Sequence, residues 1–460
     1  MTAAILHDTN LLVNNTLNCS LLSKYFNEYN PIEHLSFSIS DIATVAIFLK
    51  SNSLLTPLLY SLKNKHCSII LCDSSDLNSL KHKIIENASI IITDVSLEHT
   101  DLTYSIAEKI DFLSHIIYIY VQSDVTTALE PDTFSFFTSG TSNSMPSIVT
   151  YTKECIMRKA ECEKQILSLG PNDYMLCILP TYHCYGFGHG CIAPALSGCR
   201  VTYFPAYTLP TRIMKELASD QYTILITTPF YYNLIYQDLH HLSHLRLMVS
   251  SGGPLSQTVI NSDLKISNCY GTTETGLIAF KSSFSDTNKT SVGTIIPDVK
   301  LTFGNQVDIN CNSHQPYYEL YVESPYLAKR ITTGNSIINI ASKLKLNDYG
   351  YVDSEGNLYI CGRLDNVINI NGEKVSLDEI EAFLNNHPNI KEVKVSKKTD
   401  EIHHEYPIAY VMLYNNNSDS PESLRKYCLE RIPIFKIPHE FIIVDHLKRT
   451  STNKIRAVQD

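Results

Sequence analysis

Tryptophan is missing from the 460 residues, although tyrosine reaches 28. Nothing in the chain's chemistry explains that imbalance. The 13 cysteines never fall in a CxxC pair. An odd, scattered set argues against a disulfide framework and for a reducing compartment. Positive charge is short: 37 Lys and Arg against 47 Asp and Glu leave a formal net charge of −10. A phosphate-backbone binder needs a clustered basic surface, so nucleic acid is a poor partner for this chain. The densest basic run, Lys391 to Lys398 (KEVKVSKK), alternates with valine and reads as the solvated face of a strand. No apolar run approaches the ~18 residues of a membrane span. The first ten residues (MTAAILHDTN) carry neither a basic n-region nor an apolar h-region, so no secretory signal is expected and a cytoplasmic location is. No internal repeat or low-complexity linker appears.

Hydrophobic residues make up 44 % and charged residues 18 %, enough apolar material for a large core and too little charge for a disordered chain. Short β-branched or apolar runs at 44–50, 67–72 and 89–93 alternate with three-to-four spacing at 54–64 and 76–87. That order predicts crossover units on a parallel sheet. Further strands are expected at 115–121, 133–137, 222–228 and 245–250. After about 300 the pattern changes to short strands with turns between them, at 317–322, 350–354, 357–361 and 367–370. Asp353-Ser-Glu-Gly356 reads as a hairpin connection. Residues 376–386 predict a helix, with Ser376 as N-cap and Glu379 completing a capping box. Strands at 390–396 and 406–414 and a helix at 421–430 complete a small α+β unit. The fold class expected is α/β: a large multi-sheet N-terminal domain over 1–363 and a small C-terminal α+β domain over 364–460.

Four segments carry candidate chemistry. Thr138-Ser-Gly-Thr-Ser-Asn143 follows a strand, and its hydroxyls and N–H groups suit phosphate oxygens. Tyr270-Gly-Thr-Thr-Glu274, preceded by Ser251-Gly-Gly-Pro254, puts an aromatic ring, two hydroxyls and a carboxylate together. Those groups can stack a base, hold a phosphate and ligate a divalent ion. Asp348, with Arg363 and Asp365 in Gly362-Arg-Leu-Asp365, suits a ribose diol or a phosphate. Lys454 stands six residues before the C-terminus. Each segment alone also reads as an ordinary turn or a solvated charge.

The order of the four resembles the adenylate-forming superfamily of acyl- and aryl-CoA synthetases, luciferases and nonribosomal peptide synthetase adenylation domains. The resemblance spans roughly residues 44 to 456. TSGTS is similar to the family's TSGTTGxPKG, YGTTE to YGxTE, and LKRTSTNKI to LPRTxxGKI. The segment from Asn347 to Glu381 is similar to TGDxGxxDxxGxxxxxGRxDxxIxxxGxxVxxxEIE. The resemblance implies that Thr138, Ser139, Gly140, Thr141 and Ser142 hold the ATP β- and γ-phosphates. It implies that Gly252, Gly253 and Tyr270 bracket the adenine, and that Pro254, Gly271 and Thr272 also bind ATP. Asp348 and Arg363 would bind ribose. Thr273, Glu274 with Mg²⁺, and Lys454 would form the catalytic set. Asp365 takes the hinge position of a mobile lid, and Gly372 borders a channel for a thiol arm.

Some positions depart from the family. Asn143 replaces a glycine and Ser147 the usual lysine in the phosphate loop. Leu346-Asn347 stand for Thr-Gly, and Asn453 for glycine. Leu179-Pro-Thr-Tyr-His183-Cys-Tyr-Gly186 resembles the segment that lines the acid pocket. Tyr182, His183, Phe230, Ser251 and Gly252 are the expected lining. No carboxylate lies in that stretch to pair an α-ammonium group, so an aryl or aliphatic acid is favoured over an amino acid. The expected activity is ATP-dependent formation of an acyl-adenylate with release of pyrophosphate, then transfer to a thiol. The thiol would be CoA or the phosphopantetheine arm of a separate carrier protein. A stand-alone amino-acid adenylating enzyme and a non-catalytic nucleotide- or acyl-binding relative are the alternatives. Cys177, Cys184 and Cys191, spaced at sevens, read as apolar core, and His240, His241 and His244 as surface residues rather than metal ligands.

Overall fold

The computed structural model describes residues 11–449 and Ile455, apart from 14, 29, 36–38, 40–42, 74–87, 98–103, 123–128, 139–146, 220–221, 283, 286–287, 310–314, 335, 371–372, 401–403 and 415–418. Among the described residues, two nine-stranded sheets carry most of the chain before 300. In the first, Arg200–Tyr203, Tyr174–Cys177, Ile224–Thr227, Leu247–Ser251 and Ile266–Thr272 run parallel. Gly276–Phe280 and Thr294–Ile295 extend it antiparallel. The second sheet has a parallel centre of Ser68–Cys72, Thr44–Phe48, Ile90–Thr93 and Thr133–Phe137. Its strands are fully buried apolar runs, as expected of a parallel sheet covered on both faces. The expected strands therefore form, with ends shifted by a residue or two. The helix expected at 54–64 forms as Asn52–Leu54 and Leu55–Ser61. The one expected at 76–87 lies outside the described residues.

The helix Lys153–Ile166 joins the two sheets. Thr152 caps it by accepting from Cys155 N–H. Its far end is tied to the first sheet by Arg246, whose Nε and Nη2 both bond Asp173, at 2.7 Å each, and whose Nη2 also reaches Ser168 O. Between the sheets, the rings of Phe136, Phe187 and Tyr151 pack edge to face, with centroids 5.1 and 6.1 Å apart.

A four-stranded antiparallel sheet follows, from Lys300–Val307 to Leu358–Arg363. Its strand Lys343–Val352 begins before the expected 350, because Leu346 and Tyr349 turn inward and are buried. The turn to Leu358–Arg363 is closed by Asp353, which accepts from Glu355 N–H and Asn357 N–H.

Beyond Arg363 lie the hairpin Val367–Ile370 and Glu373–Ser376, the helix Leu377–Asn385, and a three-stranded sheet of Ile390–Asp400, His404–Leu413 and Glu440–Ile443. Ser376 caps its helix by accepting from Glu379 N–H at 3.3 Å. The other arm of the expected capping box is absent. Glu379 Oε1 instead accepts from the buried Lys436 ammonium at 2.7 Å, a stronger partner than a backbone N–H. A capping box does form at the helix Pro421–Leu429, between Ser420 and Ser423.

Candidate active site

The parallel strands of the first sheet end side by side. Their carboxyl ends deliver 178–183, Thr227–Phe230, Ser251–Gly253 and Tyr270–Thr273 to one edge, where open α/β sheets bind ligands. Gly252 adopts φ +91°, and with Gly253 it is exposed at that edge. Ser251 is buried, and its hydroxyl donates to Cys269 O at 2.9 Å. Its side chain thus ties the two strands together.

The turn 273–275 joins Ile266–Thr272 to Gly276–Phe280. Only glycine fits at 271, where a Cβ would lie 2.1 Å from Gly276 O. Thr275 Oγ1 accepts from Thr272 N–H. Outside groups clamp the turn further: the Tyr151 hydroxyl donates to Thr273 O at 2.5 Å, and Ala328 N–H to Glu274 O at 2.8 Å. The backbone is fixed while the Thr273 and Glu274 side chains stay half exposed. Among the described residues no cation pairs with the Glu274 carboxylate, so a hard divalent ion could be held there.

The Tyr270 hydroxyl donates to Asp348 Oδ2 at 2.6 Å, linking the first sheet to the four-stranded one. Burial pushes the Asp348 carboxyl up, while Tyr270 and Arg363 pull against it. Arg363 faces Asp348 across the ladder, and its guanidinium grips Asp365 in a two-point pair at 2.9 Å each. Burial opposes ionisation of Asp365, but that grip holds it below the usual carboxylate range.

At the candidate acid-binding segment, Asn52 fastens the stretch before His183: its amide donates to Leu179 O, and Thr181 Oγ1 donates to its carbonyl at 3.1 Å. The Tyr182 hydroxyl donates to Asp73 Oδ2 at 2.6 Å, so a carboxylate does reach this segment, from the residue after the strand Ser68–Cys72. The His183 ring lies 4.7 Å from that of Tyr182. Phe230 opens the helix Pro229–Leu239, and the guanidinium of Arg449, from the closing segment, lies 4.6 Å above its ring.

Residues 35–331 match the family model described as AMP-binding enzyme, and 379–454 the one described as AMP-binding enzyme C-terminal domain. This chain is an AMP-binding enzyme. It belongs to the adenylate-forming superfamily and is a ligase. It is 24 % identical over 423 residues to 4-coumarate–CoA ligase 3 of Arabidopsis thaliana, covering 86 % of this chain and 73 % of that one. It is 24 % identical over 409 residues to 2-succinylbenzoate–CoA ligase of Bacillus subtilis, covering 86 % and 78 %. The fold matches o-succinylbenzoate CoA synthetase (MenE) from Bacillus subtilis in complex with OSB-AMP, at TM-score 0.71 and 21 % identity over 95 % of this chain and 90 % of that one. It also matches ATP-bound MatB from Rhodopseudomonas palustris, at TM-score 0.72 and 16 % identity over the same shares.

In this AMP-binding enzyme the structure gathers Gly252, Gly253, Tyr270 to Glu274, Asp348 and Arg363 around one edge. Pro254 is exposed beside them. Thr138, the first residue of the candidate phosphate-binding segment, donates its N–H to Ser147 O at 2.9 Å. Ser147 in turn bonds Thr333 Oγ1. Ser139, Gly140, Thr141, Ser142, Gly372 and Lys454 lie outside the described residues. An isolated bridge between Arg449 and Ile455 brackets the segment that holds Lys454. Cys177 and Cys191 are core, but Cys184 is half exposed and accepts from the Lys159 ammonium at 3.3 Å. Among the described residues no His, Cys, Asp or Glu group could hold a metal on its own, and no helix is long and apolar enough to cross a membrane. Reasoning from sequence missed Tyr151, Lys159, Glu163, Asn52, Asp73, His189 and Arg449. A signal existed for His189 alone: the glycines around it in GFGHG.

Proposed function

We propose that the chain activates an aryl or aliphatic carboxylic acid with ATP and passes the acyl group to CoA. The observation that carries this is the clamped Tyr270–Glu274 turn, bonded through Tyr270 to Asp348 at the carboxyl ends of parallel strands. A carboxylate oxygen attacks the α-phosphorus, the bond to the bridging oxygen breaks, and pyrophosphate leaves. Two anions meet in this step, so positive charge and hydrogen-bond donors must wait where charge develops. Thr273 would donate to the α-phosphate, Asp348 and Arg363 would hold the ribose, and Lys454 would reach the reacting carboxylate. Glu274 would hold Mg²⁺, which supplies positive charge to the phosphates when bound. The CoA thiolate then attacks the acyl carbonyl and AMP departs. In this reading residues 364–460 would act as a lid for both steps, hinged at Asp365, with Gly372 beside the thiol arm.

The relatives' names support a CoA ligase, and their low identity leaves the acid open. Carboxylate-dependent ATP–pyrophosphate exchange over a panel of aryl, short-chain, medium-chain and amino acids tests the reading. Exchange with one acid class, lost in Lys454→Ala, supports it. Exchange with no acid would sink it. Thioester formation with CoA alone, without a carrier protein, tests the acceptor.

A further inference from the structure

Behind the junction of the acid segment and the 273–275 turn, the helix Lys153–Ile166 buries two charged side chains, Lys159 and Glu163. Opposite them, the helical turn Gly188–Ile192 buries His189. Two glycines leave the space. A Cβ at 276 would lie 2.5 Å from Lys159 Cε, and one at 188 would lie 2.4 Å from Glu163 Oε2. The Lys159 ammonium lies 4.0 Å from the centre of the Tyr151 ring and donates to Cys184 Sγ at 3.3 Å. A thiol is a weak acceptor, and a ring face offers only part of a charge. Among the described residues no carboxylate lies within ion-pair distance of it.

Its neighbours are also incomplete. Glu163 Oε2 and His189 Nδ1 approach to 3.3 Å, yet both atoms are buried without a hydrogen bond. Burial pushes the Glu163 carboxyl up to about 7 and the His189 ring down to about 3, so the ring is neutral and supplies no charge to either partner. Buried cations are normally paired, and buried polar atoms normally bonded. Among the described residues the cluster thus leaves the Lys159 ammonium without a carboxylate at ion-pair distance, and two polar atoms without a hydrogen bond. It adjoins Cys184, next to His183 of the acid segment, and Gly276, two residues after Glu274.

We infer that Lys159 reads the far end of the acyl substrate, and that the acid carries a second carboxylate. This rests on the acid-activating reading above and names its substrate class. An ammonium with three N–H groups and, among the described residues, no carboxylate at ion-pair distance favours an anion over a hydroxyl or ester. Glu163, when protonated, can donate a further bond to the same oxygen.

The test uses the full chain and matched acids that differ only at the far end: glutarate and its monomethyl ester, and terephthalate and its monomethyl ester. Pyrophosphate exchange should show a KM at least tenfold lower for the diacid of the better pair. Lys159→Met should raise the KM for the diacid far more than that for the ester, bringing the ratio near one. Equal or better use of the monoesters by the wild-type enzyme overturns the inference without any variant, so misfolding of Lys159→Met leaves it decidable. If no acid supports exchange, calorimetry with the same compounds separates the two claims. Diacid binding that is lost in Lys159→Met retains the inference while the acid-activating reading falls. No diacid binding by the wild type overturns it.

Discussion

Asp348 illustrates how much one side chain can hold. It accepts from Tyr270, faces Arg363 and is the candidate ribose ligand. Asp348→Asn keeps the shape but loses the charge-assisted bonds, and should raise the KM for ATP by roughly 10- to 100-fold, the equivalent of one such bond. An unchanged KM would remove Asp348 from the nucleotide site. Glu163 makes a different prediction. Its carboxyl titrates near 4.5 when unfolded and at about 7 when folded. Between those values the native state keeps a proton that the unfolded chain releases, so stability falls as pH rises through that window. The loss is on the order of 3 kcal/mol. Glu163→Gln removes it and should raise Tm by roughly 5 °C at pH 8 and much less at pH 5. Equal shifts at both pH values would refute the assignment. Neither Lys159 nor Glu163 was legible in the sequence. Charged residues at i and i+4 on a helix ordinarily make a solvated face, and only the packing of His189 and Gly276 against them shows otherwise.

At the scale of elements, Ser376 does two jobs. It caps the helix Leu377–Asn385 and accepts from the buried Tyr349 hydroxyl at 2.9 Å, tying the four-stranded sheet to that helix. Ser376→Ala should cost about 2 kcal/mol, a lost cap plus an unsatisfied buried hydroxyl. Denaturant titration reads that loss, and Ser376→Thr should recover most of it. This helix, its cap and the central strands were legible because their signals are local: β-branched runs for the strands, a capping serine for the helix. The reach of Glu379 to Lys436 was not, because the two are far apart in sequence and meet only in the fold. Sheet order was hidden for the same reason. Thr133–Phe137 pairs with Ser68–Cys72, and no sequence period announces a partner that distant. Edge strands such as Ser105–Phe112 mix polar and apolar residues on exposed backbone and gave no alternation to follow. The candidate site was readable where four motifs kept their order, and unreadable where single residues such as Tyr151 or Asn52 support it from elsewhere.

Across the whole molecule, the contact that matters is Arg449 over Phe230. It joins the closing segment to the helix Pro229–Leu239, beside the candidate acid site. Arg449 is also held by Glu392, so its guanidinium is braced from within its own domain. A cation–π contact is worth about 0.5–2 kcal/mol. Arg449→Ala should therefore slow pyrophosphate exchange by roughly 3- to 30-fold. It should slow thiol transfer from supplied acyl-adenylate much less, if that step uses another lid position. Equal slowing of both steps would mark the contact as merely structural. The same geometry has an optical consequence. A chain with no tryptophan has no indole emission, so Phe230→Trp would install a lone indole beneath a guanidinium. Its emission would then report, in real time and without a label, whether that charge leaves the ring during turnover.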